Sequence, residues 1–382
     1  MSKHICVLAG EASGDFLGGK LIEALRGIDP DLRFSGVGGR HMRMAGVESL
    51  FGYEALSLMG IVEIIVKLPE VIPLFHQTVA HIVETKPDIV VTIDAPEFNF
   101  RIAKALRKKM DNPPKIIHYV APSVWAWRER RAEKVSKFLD GLICLFDFEP
   151  PYFEKYGLQS FAAGHPMVEG KALRAQGGRF RDEYGILQND PVIGVLFGSR
   201  KGEIKRTGPV LRDAVLKMVE NMDHPPQLVA PTLPHIEQDV RGLLQEYPGP
   251  IHVFCETEHK FDAFKSFDVA LAVSGTVGLE LAALEVPHVI GYRMNPVTWQ
   301  IVKRMVKIKF AHLANIMAGR EIVPEFIQDN CKAEAMAQSA LKLLADPSGQ
   351  KADFADIKFR LGAGQEKTPS QKAAAFVLSF LS

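Results

Sequence analysis

Two stretches in the second half of the chain end an apolar run in glycine and hydroxyl residues, then open a helical pattern. They are "SGTVGLE", residues 274–280, and "LFGSRKGEI", residues 196–204. The first turn of a helix has N–H groups without intrahelical partners and carries the positive end of the dipole, so such a junction suits an anion. At the first, Gly275 lets the backbone approach a phosphate, and Ser274 and Thr276 add hydroxyl donors. Glu280 is not the partner of a capping box begun by Thr276, because Leu279 stands there. It lies one turn beyond Thr276, where a carboxylate could accept from ribose hydroxyls; a plain helix start with an incidental acid stays open. At the second, Ser199 and Arg200 follow Gly198, and the guanidinium can fork onto a pyrophosphate. A solvated arginine in a polar turn fits equally. Two such junctions in one half point to a nucleoside diphosphate, and so to nucleotide-sugar chemistry.

The first half offers an acid. "TIDAPEFN" puts Asp94 at the carboxyl end of an apolar run, where α/β sheets expose catalytic groups. There it could take a proton from a sugar hydroxyl, or only cap the following turn. "LAGEASGD" sets Ser13, Gly14 and Asp15 at the first strand end, available to a polar acceptor. "HYVAPSVWAWRERR" joins aromatic surface to Arg128, Arg130 and Arg131, which could line an acceptor site or be a buried Trp pair beside a solvated basic helix.

Other motifs fail. "GDFLGGK" has Leu21 where a P-loop needs Ser or Thr, and "GVGGRH" has His41 at the third glycine of a dinucleotide fingerprint. Ser274 is not a nucleophile elbow, since Ala272 and Thr276 stand where glycines are required. No HExxH or close Cys/His cluster marks a metal, and neither a metal nor another cofactor is expected. The four cysteines, Cys6, Cys144, Cys255 and Cys331, are dispersed and read as buried thiols in a reducing compartment.

These groups need rigid supports. Short β-branched runs, each followed by a turn and a helical pattern, recur from "HICVLAG", "DIVVTIDAP", "KIIHYVAPS" and "GLICLF" to "PVIGVLFGS", "QLVAPT", "IHVFCE", "DVALAVSGT" and "PHVIGY". Continuous hydrophobicity fits strands of parallel sheets buried on both faces, and the alternation predicts two doubly wound α/β units. A chain of 382 residues accommodates two. The boundary is expected in the polar segment 170–190, and the chain from about Ala333 onward reads as helical only. The N-terminal residues do not read as a secretory signal. The net charge of +1 gives no field that would recruit nucleic acid.

Residues 56–77, "LSLMGIVEIIVKLPEVIPLFHQ", are strongly apolar, yet Glu63, Lys67, Glu70 and two prolines interrupt the roughly 20 apolar residues of a membrane span. A buried crossover helix and a segment lying on lipid both fit. In "WQIVKRMVKIKF", residues 299–310, Trp299, Val302, Met305 and Val306 can share a helix face beside Lys303, Arg304, Lys307 and Lys309. That suits an interfacial helix near anionic headgroups, or a core helix with a solvated basic face.

In order along the chain, "AGEASGD", "MGIVE", "IDAPEFN", "HYVAPSVWAWR", "GHPMVE", "FGSRKGE", "SGTVGLE", "GYRMNP" and "NIMAGREIVPE" resemble the lipid-A-disaccharide synthases, inverting bacterial glycosyltransferases, from residue 9 to 325. The resemblance implies an α/β fold of GT-B type, with two Rossmann-like, doubly wound parallel-sheet domains facing across a cleft. It divides the chain into residues 1–170 on the acceptor and membrane side, residues 171–345 for the UDP-sugar, and C-terminal helices 346–382 packing back on the first domain of the same or a partner subunit. UDP-2,3-diacylglucosamine is the implied donor and 2,3-diacylglucosamine 1-phosphate the acceptor of a β-1,6 link. A peripheral place on the cytoplasmic side of the inner membrane and a homodimer are implied too. By position Asp94 becomes the base, while Ser199, Arg200, Ser274, Gly275, Thr276 and Glu280 hold UDP. Asn315 of "NIMAGR", Ser13, Asp15 and Arg128 become further active-site residues. Phe197, Glu97 and Ala314 depart from the family's usual Pro, Asp and Pro. The rival readings are another GT-B protein using UDP-GlcNAc, either a lipid-linked glycosyltransferase or an epimerase, and a non-catalytic nucleotide-sugar-binding membrane protein.

Overall fold

All nine apolar runs form strands, and every strand pairing is parallel. The structure is a computed structural model that describes residues 2–56, 61–127, 129–255, 258–306 and 308–381. The chain divides into two compact units, Met1–Pro166 with Gly364–Ser382, and Met167–Ala363.

The first unit holds a seven-stranded sheet of β1 (His4–Ala9), β2 (Arg33–Val37), β3 (Glu48–Ser49), β4 (Ile89–Ile93), β5 (Lys115–Tyr119), β6 (Gly141–Cys144) and β7 (Gln159–Ala162), in the order β3-β2-β1-β4-β5-β6-β7. Alternation along β1 sends Ile5, Val7 and Ala9 into a core shared with Leu17, Leu21 and Leu25 of helix Ala12–Ile28. Cys6 and Leu8 enter a second core with Ile102, Ala103 and Leu106 of helix Pro96–Lys109. Both faces are therefore covered, as the unbroken apolar runs require.

The second unit repeats the topology with β8 (Val192–Leu196), β9 (Gln227–Pro231), β10 (Ile251–Phe254), β11 (Val269–Val273), β12 (His288–Tyr292) and β13 (Glu325–Ile327), ordered β10-β9-β8-β11-β12-β13. In both sheets the strand order reverses beside the first strand, at β1/β4 and at β8/β11. Ligands of open α/β sheets bind outside the strand ends at this point. The four motifs that carry chemistry sit there. "AGEASGD" follows β1 and "IDAPEFN" closes β4, while "FGSRKGE" follows β8 and "SGTVGLE" follows β11.

Two expected boundaries move. Segment 170–190 lies inside the second unit, which begins at Met167. Its helix Gly177–Glu183 buries Phe180 completely, and Arg181 donates to Asp268 Oδ2 (3.0 Å) and Ser266 O (3.1 Å) within the second unit. Of residues 346–382, only the last part joins the first unit. Helix Ser348–Arg360 stays with the second, where Gln350 accepts from His288 N (2.7 Å) and Phe354 stacks on the His288 ring. Helix Pro369–Leu378 inserts Ala373, Ala374 and Val377 into the first core, beside helix Ala12–Ile28.

Helix Ile61–Thr85 covers much of the apolar segment 56–77, with Pro69 and Pro73 inside it. Residues 57–60 fall outside the described residues, as does Lys307 of the second apolar-basic segment. Ile72 and Met305 are exposed on their helices. Among the described residues no helix is long and apolar enough to cross a membrane.

Candidate active site

In the first unit the chain leaves β4 through two consecutive left-handed residues, Asp94 (φ 50°) and Ala95 (φ 41°). Side chains resist this region, so neighbours must hold it. Asp94 N donates to Tyr119 O (3.0 Å), and Asn99 Nδ2 donates to Ile93 O (3.1 Å) and Asp94 O (2.8 Å). Ala95 N donates to Asp94 Oδ1 (2.9 Å), and Pro96 then starts the helix with φ already set. The glycine at Gly10 is required because any Cβ there would collide with that of Ala95. Val120, a β-branched residue at φ 82°, adds strain at the end of the next strand.

Asp94 lies in a cavity of about 310 Å³ with Pro96, Val120, Ala121, Pro122, Ser123, Val124 and Arg131. Burial pushes its carboxyl above the ordinary aspartate value, opposed by the Ala95 N–H and the Ser13 hydroxyl. Ser13 thus does meet Asp94. An adjoining groove of about 540 Å³ is mainly apolar, walled by Leu56, Val71, Ile72, Phe75 and Phe98 with Glu11 at its side. Reduced hydration at the wall and then the Asp94 charge raise the Glu11 carboxyl. Glu11 stands inside the "LAGEASGD" turn, where no periodic pattern marks it as a wall of this groove.

Asp15 does something else. Buried, its Oδ1 accepts from Gly39 N (2.6 Å) and Met42 N (3.1 Å), and its Oδ2 from His41 N (2.9 Å). It is the anion at the start of helix Arg40–Met44, and its acceptors are spent on that backbone. Trp125 is half-buried and donates through Nε1 to Glu149 Oε1 (3.2 Å), whose carboxyl burial lifts to about 7. Arg128 lies outside the described residues.

In the second unit β11 runs into Ser274, whose N–H donates to Gly291 O (3.3 Å), and helix Thr276–Ala283 follows. No side chain caps this helix, and Gly275 and Thr276 are exposed, so the turn keeps its capacity for an anion. Glu280 is half-buried and pairs with Lys260 Nζ at 2.6 Å. Behind the turn, Gly278 lies so close to His312 that no Cβ fits. His288 and His312 are buried with their Nε2 atoms 3.0 Å apart. His288 Nδ1 faces Val286 O (2.8 Å), while His312 Nδ1 accepts from Ala314 N (3.0 Å). That network fixes the tautomers: His312 Nε2–H donates to His288 Nε2, and both rings are neutral.

The junction after β8 differs from expectation. Glu203 is buried and its Oε2 accepts from Ser199 N (3.1 Å) and Arg200 N (3.3 Å), so backbone donors are already engaged. The side-chain groups here that an anion can still use are the Ser199 hydroxyl and the Arg200 guanidinium, 79% exposed while paired with Glu203 Oε1 (3.0 Å). Asn315 is likewise corrected. Fully buried, it donates to Val323 O (2.8 Å) and Glu325 Oε1 (2.7 Å) and accepts from Ile322 N and Val323 N (both 2.8 Å). Every amide position is used, so it fixes helix Leu313–Ala318 against β13 and has no atom left for a ligand.

Similarity to known proteins agrees with the geometry. The family model described as "Lipid-A-disaccharide synthetase" matches residues 5–378. The lipid-A-disaccharide synthase of Rhodospirillum centenum is 41% identical over 99% of this chain and 94% of its own. That of Rickettsia prowazekii is 38% identical over 98% of each. Among solved structures, a UDP-GlcNAc 2-epimerase from Neisseria meningitidis bound to UDP-GlcNAc superposes with a TM-score of 0.63 at 10% identity, over 100% of this chain and 99% of that one. A glycosyltransferase from Rickettsia africae does so with a TM-score of 0.60 at 12% identity, over 100% and 99%. These distant likenesses concern the fold alone, that of GT-B proteins with two Rossmann-like units. With the family model matching residues 5–378 and relatives near 40% identity, the chain belongs to the lipid-A-disaccharide synthase family.

Proposed function

We propose that this protein is an inverting glycosyltransferase that joins two acylated glucosamines. It transfers 2,3-diacylglucosamine from UDP-2,3-diacylglucosamine to the 6-hydroxyl of 2,3-diacylglucosamine 1-phosphate, forming a β-1,6 disaccharide and releasing UDP. Family membership over residues 5–378 carries this reading. Asp94 is the base. Its raised basicity strengthens proton abstraction from the acceptor hydroxyl. As the acceptor oxygen attacks the anomeric carbon from the face opposite UDP, the C–O bond to the diphosphate breaks and configuration inverts from α to β in one displacement. Charge develops on the departing diphosphate, where the uncapped Thr276 helix start, the Ser274 and Ser199 hydroxyls and the exposed Arg200 guanidinium stabilise it. Glu280 accepts from ribose, held in place by Lys260.

The apolar groove beside Asp94 receives acyl chain, which gives a reason for Val71, Ile72 and Phe75 to stay accessible on a helix that does not span a bilayer. Peripheral membrane association is part of the same proposal, supported by this helix and by exposed Met305 beside Lys303 and Arg304. The test supplies both acylated monosaccharides without added divalent metal. Disaccharide and UDP in equal amounts are expected. Folded protein that yields neither would refute the assignment, and epimerisation of UDP-GlcNAc alone would restore the epimerase reading.

A further inference from the structure

Beside the Asp94 cavity lies a second pocket of different character. It occupies about 500 Å³ between helix Pro96–Lys109 and helix Arg130–Val135. Among the described residues, Arg101, Lys104, Arg130, Arg131 and Lys134 line it, with Glu97 as the one acid. Five cations against one carboxylate is a local concentration that the near-neutral chain does not repeat as a general property. Glu97 pairs with Arg131 at 3.3 Å. Arg101, Lys104, Arg130 and Lys134 have no carboxylate partner among the described residues. Phe100 and Phe138 form the floor. Arg131 lies over the Phe100 ring at 5.7 Å and Lys104 over Phe138 at 5.0 Å, so aromatic faces orient two of the cations. Like charges gathered this way repel one another unless an anion joins them.

The surroundings say which anion. Pro96 and Arg131 line both this pocket and the Asp94 cavity, while Pro96, Glu97 and Arg101 line both this pocket and the apolar groove. Three compartments therefore meet around Pro96: one with a base, one cationic, one apolar. The acceptor has three matching parts, a hydroxyl to deprotonate, a phosphate monoester and acyl chains. We propose that the cationic pocket binds the anomeric phosphate of the acceptor sugar, with Arg101 and Lys104 as its principal ligands and Arg131 as the bridge toward Asp94. The identity of the phosphate rests on the synthase reading; the cationic pocket itself does not. The donor has no phosphate monoester, so the pocket also sorts acceptor from donor.

The double variant Arg101→Gln/Lys104→Gln tests this, since both side chains are exposed and thermal unfolding will confirm that the fold survives. Turnover is measured with the acceptor and with the same diacylglucosamine lacking its phosphate. The preference for the phosphorylated sugar should fall roughly ten- to a hundredfold in the variant, as expected for losing charge-assisted contacts. The KM for the UDP-sugar should not change, and Arg101→Lys/Lys104→Arg should retain the preference. A variant that prefers the phosphate as strongly as wild type overturns the proposal. So does unchanged preference with lost sedimentation on phosphatidylglycerol vesicles, which would make the pocket a lipid-headgroup site. If wild type makes no disaccharide, the synthase reading fails separately. Calorimetry with glucosamine 1-phosphate then decides the pocket: binding by wild type and not by the variant upholds it, and no binding by either overturns it.

Discussion

At the scale of single residues, two aspartates in the first unit have opposite duties. Asp94 is held in a strained turn with its carboxyl pushed up by burial, as suits a base. The acid limb of kcat/KM should therefore fall at a higher pH than an ordinary aspartate near 3.8 would give. Asp94→Asn should remove that limb together with nearly all turnover. The variant should be at least as stable as wild type at neutral pH. A carboxyl with a raised folded pKa contributes stability below its unfolded value and loses it as pH rises, so wild type gains nothing from the ionised group at neutrality. Normal rates in Asp94→Asn would remove it from the base role. Asp15 holds three backbone N–H groups. Asp15→Ala should cost roughly 2–4 kcal/mol in urea denaturation, because buried donors lose their acceptor. Active-site titration of the folded fraction should show near-normal turnover.

At the scale of elements, the turn after β8 depends on Gly198, which sits at φ 96°. A Cβ there would approach Glu203 Oε2 to 2.6 Å. Gly198→Ala should destabilise by about 1–3 kcal/mol and displace Arg200, weakening UDP binding measured by calorimetry. Unchanged UDP affinity would show that this junction does not hold the diphosphate. The strands bearing such turns were legible because central parallel strands are unbroken apolar runs. The missed strands β2, β3, β7 and β13 are largely unburied; β7 alternates exposed and half-buried positions, β3 has two residues, and β2 buries only Gly36 and Val37 at its end. Nothing in a run of residues reveals that Asn315 spends its amide on Ile322, Val323 and Glu325, because those partners are chosen by a fold made elsewhere. The same holds for the cationic pocket, since Arg101 and Lys104 come from one helix and Arg130, Arg131 and Lys134 from another. The sequence showed the second group only as a basic run.

Across the whole molecule, buried His118, His288 and His312 and half-buried His165 are held neutral. Burial lowers His118 to about 3 and both His165 and His288 to about 4, and it lowers His312 well below the ordinary value, aided by His288. Groups with depressed folded pKa values contribute stability above the unfolded value of 6.5 that is lost as pH falls toward the folded one. Each contributes a slope of up to about 1.4 kcal/mol per pH unit in that window. Glu149, raised to about 7, works the other way between about 7 and 4.5, and offsets one of the four. Net stability should therefore drop on acidification from about pH 6.5 to 4.5, before most carboxylates titrate. Urea midpoints that stay level across that range would contradict the buried-neutral assignment.

The return of helix Pro369–Leu378 to the first unit also sets a timetable for synthesis. A ribosome emits the sheet of the first unit early, yet the side chains that close its core, Ala373, Ala374 and Val377, are translated only after the whole second unit. The second unit, continuous from Met167 to Ala363, is complete before them. The nascent N-terminal sheet thus waits with an open face while its successor finishes, reversing the usual N-to-C order of domain maturation. On released chains that stop soon after Ala363, protease should cut the first unit and spare the second.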